Sequence, residues 1–147
     1  MTTEFMDRLV KHIQFIEEEL KDYEQFKDFT RDEYLKNRNK RRDLERWIEN
    51  IINSTVDISR IILSIEGKSI PDTYREIVQM ISTINGLEGV EAEKLSKWVK
   101  LRNIISHDYL DIRWSSISKF IIEVEMLYKE FVPVTKRYGI NKLKLLS

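Results

Sequence analysis

No cysteine occurs anywhere in the chain, so disulfides, zinc–thiolate centres and cysteine nucleophiles are excluded together. Proline and glycine are scarce, at two and four residues, which leaves few places where a helix must stop. No apolar run approaches the roughly eighteen residues of a membrane-spanning helix, so no membrane role is expected. The opening Met1–Asp7 segment is acidic early and lacks the basic and apolar regions of a secretory signal, which makes a cytoplasmic location the expectation. Histidine is limited to His12 and His107, too few for a histidine-built metal centre. Neither a metal nor a cofactor is therefore expected. A surplus of one charge is also missing, since 25 basic residues balance 25 acidic ones. Non-specific coating of nucleic acid needs surplus positive charge. A chain of this composition that acts on nucleic acid must gather its cations in one cleft, or form a cleft by pairing with a second copy.

What is present is helical periodicity. At 147 residues the length suits one domain, 1–147, with a core of its own. Leu9, Ile13, Ile16, Leu20 and Tyr23 recur at three and four residues, the spacing of an amphipathic helix. Thr30 is placed to cap a helix that opens with Arg31, Asp32 and Glu33. The series Leu44, Ile48, Ile51, Thr55, Ile58, Ile62, Ile65 alternates four and three as a packing seam does. Gly67 and Pro71 mark a loop, and a short helix follows from about Thr73 to Ile84, closed by Asn85-Gly86. A helix from Glu91 carries Leu95, Trp98, Leu101 and Ile105; the last begins near Asp111, carries Trp114 to Phe131, and is expected to end or kink at Pro133. Residues from about 138 to 147 read as a loosely held tail. No stretch sustains a period of two. The fold class is therefore all-α, an antiparallel bundle of about five helices.

The segment with chemical content is Arg102-Asn103-Ile104-Ile105-Ser106-His107-Asp108-Tyr109, an Arg-x4-His-x-Tyr string. Histidine moves protons near neutral pH. Arginine stays charged and grips a phosphate with two parallel hydrogen bonds. Together they suit RNA cleavage without a metal, in which a base takes the 2′-hydroxyl proton, a cation steadies the phosphate and an acid protonates the leaving oxygen. The 2′-hydroxyl exists only in RNA, so the chemistry selects its own substrate. In a continuous helix Arg102 and His107 point about 140° apart. A helix ending near Ser106, or two copies meeting at this edge, relieves that geometry, and homodimerisation becomes part of the expectation.

The octapeptide resembles the signature of the HEPN superfamily, and its His-x-Tyr ending resembles the HepT toxin branch. The segment Ile70-Pro71-Asp72-Thr73-Tyr74-Arg75-Glu76 is similar to the family pattern as well. The resemblance implies a dimerising HEPN-like helical bundle with the arginine and histidine of both protomers along one groove. It implies a metal-independent RNA endonuclease toxin, with Arg102 and His107 catalytic and Asn103 supporting them. It further implies a cognate nucleotidyltransferase antitoxin of the MntA type that transfers AMP to Tyr109. Transfer RNA is the substrate suggested by family, and messenger RNA fits the chemistry equally well. The alternative is a non-catalytic helical module of the same fold that scaffolds a nucleotidyltransferase.

Plainer readings stand beside these. Ser106-His107-Asp108 spells a hydrolase triad, but consecutive helical residues do not face one another. His107 and Asp111 are four apart and lack further metal ligands nearby. His12 lies at the edge of an apolar stripe, where a boundary residue is the ordinary explanation. Asp108 either tunes His107 or caps the helix. Arg38, Arg42 and Arg46 share a helical face that contacts RNA or, more simply, is solvated and paired with Asp43, Glu45 and Glu49. Lys94, Lys97 and Lys100 precede Arg102 and are placed to extend an RNA-binding funnel. Trp47, Trp98 and Trp114 continue apolar stripes and read as core anchors.

Overall fold

A computed structural model describes residues 2–146, and among these it contains helices and turns but no strand. In chain order they are α1 (Thr2–Lys21), α2 (Tyr23–Phe26), α3 (Arg31–Lys36), α4 (Arg38–Ile65), α5 (Tyr74–Met80) with a 3-10 turn at Ile81–Thr83, α6 (Ala92–Trp98), α7 (Leu101–His107) and α8 (Leu110–Leu146). The all-α architecture expected from periodicity is the one observed. Three long helices, α1, α4 and α8, form its frame.

Side-chain contacts give their directions. Trp47 Nε1 on α4 donates to the Glu19 carbonyl at the end of α1 (2.6 Å), while Lys11 and His12 share a groove with Ser54 and Asp57, so α1 and α4 are antiparallel. Thr55 meets Tyr128 hydroxyl to hydroxyl at 2.6 Å, and Tyr138 donates to Glu66 at 2.5 Å, so α4 and α8 run parallel. The long return from residue 66 to residue 109 makes that parallel pair possible, and it is this return that carries the Arg-x4-His-x-Tyr string.

The local reasons for each element are on the chain. The α4 seam from Leu44 to Ile62 is buried throughout. Asn37 opens α4 by accepting from the Lys40 amide (3.0 Å), and Gly67 closes it in a left-handed conformation, φ 68°, with the Lys68 amide on the Leu63 carbonyl (2.9 Å). Thr30 and Glu33 form the reciprocal capping box that starts α3. Trp47 is buried against Phe26 and edge-on to Phe120, whereas Trp98 and Trp114 are half-buried at the margin of the core.

Two segments depart from the periodicity reading. The helix from Glu91 is two helices, because Leu95 and Leu101 point about 120° apart in an unbroken helix. A tight turn, with the Val99 amide on the Ser96 carbonyl (3.2 Å), lets both bury. The last helix neither ends at Pro133 nor gives way to a loose tail at 138; it continues to Leu146. Pro133 lies on the exposed side, so the backbone hydrogen bond that it cannot donate is missing where water is at hand. Beyond it Tyr138 and Gly139 are buried, Gly139 against Leu9 and Met6. Lys136 pairs with Glu17 at 3.0 Å and Lys142 with Glu66 at 2.7 Å. Helix α8 also starts at Leu110 rather than at an Asp111 cap, leaving Asp111 in the first turn, where its charge suits the helix dipole.

Candidate active site

Helix α7 holds the central string and lies across α4 and α8. Arg102, in its first turn, is half-buried and turns inward to a small polar cavity of about 260 Å³ lined with Asn53, Val56, Asp57 and Arg60 of α4 and Tyr74 of α5. Its guanidinium carbon lies 5.3 Å from the Tyr74 ring centroid, and that of Arg60 lies 5.5 Å from the same ring. Arg60 also meets Asp57 at 3.4 Å, which offsets part of the positive charge. Two guanidinium groups on one aromatic ring are a cation–π arrangement that holds both side chains against a wall while leaving their N–H edges available. A phosphate is the chemical species such a pair accepts best.

His107 is elsewhere. It is exposed at the last residue of α7, outside the cavity that contains Arg102, and makes no hydrogen bond or ion pair among the described residues. One copy of the chain therefore presents its arginine inward and its histidine outward, as the 140° separation requires. Asn103 is exposed one residue after Arg102, and Tyr109 stands in solvent at 83% exposure.

Asp108 ends α7 through its backbone, φ −90° and ψ 162°, with its amide on the Ile104 carbonyl (3.0 Å). Of the two roles considered for it, the structure shows the terminating one, and no contact joins its carboxylate to His107. Its carbonyl accepts from Arg113 Nε at 2.8 Å, and the same guanidinium reaches Glu45 of α4 at 3.1 Å. Glu45 in turn accepts from the Tyr34 hydroxyl, and Tyr34 packs on Trp114 with centroids 5.5 Å apart. Burial first, and then the Glu45 carboxylate, push the Tyr34 phenol above its ordinary range, so it stays a donor. Burial opposes the charge on Arg113, but Tyr34 and Glu45 outweigh it and hold the guanidinium above its usual value. The turn that presents His107 and Tyr109 is thus clamped to α4 and α3 by a part-buried chain of charge-assisted bonds.

The lysines do not extend the cavity. Lys94 pairs with Glu91 at 3.5 Å, Lys97 and Lys100 are exposed, and none of the three lines the space around Arg102. Arg38, Arg42 and Arg46 are exposed and form no ion pair among the described residues, since Glu45 is taken by Arg113. Among the described residues no three His, Cys, Asp or Glu side chains cluster as a metal site. No described helix is long and apolar enough to cross a membrane.

Sequence reasoning did not single out Arg60, Asn53, Asp57, Arg113 or the contact role of Tyr74, and read Glu45 only as a surface partner of Arg38, Arg42 and Arg46. A signal existed for the first three, because Asn53, Asp57 and Arg60 recur at four and three on the polar side of α4. Arg113 and Glu45, 68 residues apart, left none.

A family model described as Ribonuclease HepT-like matches residues 16–134 and so includes α4, α5, α7 and the whole Arg-x4-His-x-Tyr string. A protein of Archaeoglobus fulgidus named "Putative RNase" is 22% identical over 129 residues, covering 88% of this chain and 92% of that one. No solved structure matches the chain. A match over most of the length, with the cavity and the string both inside it, places this chain in the HepT-like ribonuclease family.

Proposed function

We propose that this protein is a metal-independent RNA endonuclease that works as a homodimer and serves as the toxin of a toxin–antitoxin pair. The carrying observation is the polar cavity where Arg102 of α7 and Arg60 of α4 meet over the Tyr74 ring, with Arg102 on the same short helix that ends in an exposed histidine. In the reaction, His107 takes the proton from a 2′-hydroxyl, the 2′-oxygen attacks the adjacent phosphorus, and the bond to the 5′-oxygen breaks. A second proton goes to that oxygen, and the products are a 2′,3′-cyclic phosphate and a 5′-hydroxyl. Arg102 holds the phosphate and stabilises its developing charge. A symmetry-related His107 supplies that second proton, and Asn103 positions the substrate beside them. A homodimer is required because one copy keeps Arg102 and His107 on different sides of α7.

Tyr109 is the proposed off-switch. Its ring is open to solvent and stands two residues from His107. A MntA-type nucleotidyltransferase antitoxin reaches it without unfolding anything, and an AMP group there sets a negative phosphate beside the place of the RNA phosphates. RNA is the substrate class, with transfer RNA the kind the family suggests, and the cytoplasm is the proposed site of action.

The test is cleavage of total cellular RNA by purified protein in excess EDTA, with His107→Ala in parallel. Cuts by the wild type that the variant lacks support the reading; intact, unmodified wild type that cuts nothing overturns it. The separation of Arg102 from His107 within one copy also favours a second reading, a non-catalytic scaffold for the nucleotidyltransferase. That reading requires His107→Ala to change nothing while partner binding persists.

A further inference from the structure

The cavity at Arg102 does not stop at α4. A second groove, of about 380 Å³, lies between α1 and α4 and is lined with Lys11, His12, Phe15, Asn50, Asn53, Ser54 and Asp57. Asn53 and Asp57 line both spaces, so the two adjoin across one face of α4. From Asn50 to Arg60 that face runs about 15 Å at the helical rise, room for more than one nucleotide of an extended strand.

The chemistry changes along it. At the α7 end stand two arginines and Tyr74; in the middle are the neutral amide of Asn53 and the Asp57 carboxylate, which Arg60 meets at 3.4 Å. At the α1 end are Lys11, the His12 imidazole and Phe15, a ring 43% exposed although it sits on a helix whose other face is core. Asn50 lends its amide nitrogen to Glu19 at 3.3 Å and keeps its oxygen for another donor. Cations at both ends of a groove, amides between them and an open aromatic ring are what single-stranded nucleic acid uses, with phosphates on the cations and a base on the ring.

We infer that this groove is a subsite track for single-stranded RNA, leading from the scissile phosphate at Arg102 across α4 to a base-stacking position on Phe15. The inference rests on the ribonuclease reading. It assigns His12, a plain boundary residue on sequence grounds, to a nucleotide contact beside Lys11. It also explains how a chain with no net charge holds RNA: the cations are few and lie along one line.

The test uses the full-length protein and 2′-O-methylated single-stranded probes, which cannot be cut by 2′-oxygen attack. One is a dinucleotide and the other has about eight nucleotides, within the site size of a small stacking module. Phe15→Ala is expected to weaken the longer probe by about tenfold and leave the dinucleotide unchanged, with Phe15→Trp restoring affinity. Lys11→Ala is expected to lower the salt slope for the longer probe by about 0.7. Phe15 and Lys11 are both exposed, so neither change opens the core. If both variants bind the longer probe as the wild type does while His107-dependent cleavage persists, the track is wrong and the ribonuclease stands. Equal affinity of the wild type for both probes overturns the track as well. If the wild type binds neither probe and cuts nothing, both readings fall.

Discussion

Arg102 and Arg60 share one ring but have different surroundings. Arg60 is drawn to Asp57, whereas among the described residues no carboxylate lies within ion-pair distance of Arg102. Arg102 is therefore the better phosphate ligand of the two, and Arg60 the better wall. Arg102→Ala is expected to lower kcat on RNA by about a hundredfold or more, the loss seen when one donor to a developing oxyanion is removed. Arg102→Lys keeps the charge but loses the planar fork and is expected to recover only part of that rate. Single-turnover rates on a fixed RNA check both. A uniform rise in KM with kcat unchanged means Arg102 only binds. Arg102 and His107 are neighbours in the chain, so residue type and spacing are enough to propose them, whereas the role of Tyr109 comes only from the family resemblance. Arg60 leaves only an ambiguous signal, since a polar stripe on a long helix looks the same whether it faces water or a second element, and the contact role of Tyr74 leaves none.

The turn between α7 and α8 has its own support. Glu45 accepts from both Tyr34 and Arg113, and Arg113 also donates to the Asp108 carbonyl. Glu45→Ala strands a phenol and a guanidinium together, at a cost of about 1–3 kcal/mol. In a domain of this size that is several degrees of Tm at about 2–4 °C per kcal/mol. Calorimetry gives the stability, and amide exchange at 108–110 shows whether the turn loosens beyond the global effect. Faster exchange there, with cleavage falling more than stability explains, identifies Glu45 and Arg113 as positioning residues for His107.

Helix α8 illustrates the opposite lesson. A proline and a glycine near its end, Pro133 and Gly139, argue for a break on local grounds. Burial of Tyr138, close packing of Gly139 on α1 and the Glu66 contacts overrule them. Burial opposes ionisation of Glu66, but Lys142 and Tyr138 more than compensate and hold its carboxyl below the ordinary 4.5. A carboxyl lowered in the folded state stabilises fully above its unfolded value and loses that contribution as pH falls through the folded one. Amide exchange along the end of α8 is therefore expected to quicken as pH drops below about 4.5 after correction for intrinsic rates, and Glu66→Gln is expected to abolish that dependence.

The molecule as a whole leaves its chemistry divided. Arg102 faces a cavity against α4, and His107 faces solvent, and the proposed homodimer brings an arginine and a histidine together about a twofold axis. Helix α8 offers a surface for this: Ile112, Ile122 and Met126 fall within about 80° on one side of it, and all three are exposed. Met126→Glu is expected to yield monomer by sedimentation and to lose cleavage without loss of helical content. A mixing experiment then asks how the site is shared. Arg102→Ala and His107→Ala protein, each inactive, are unfolded together and refolded as a mixture. If each site draws its arginine from one protomer and its essential base, His107, from the other, with water able to supply the leaving-group proton in place of the second His107, every mixed dimer regains one whole site. Half of the dimers are mixed and each has one of two sites, so activity returns to about a quarter of wild type. If both residues of a site come from one protomer, the mixture stays as dead as its parts, and the inward arginine and outward histidine must be reunited by movement of α7 within a single chain.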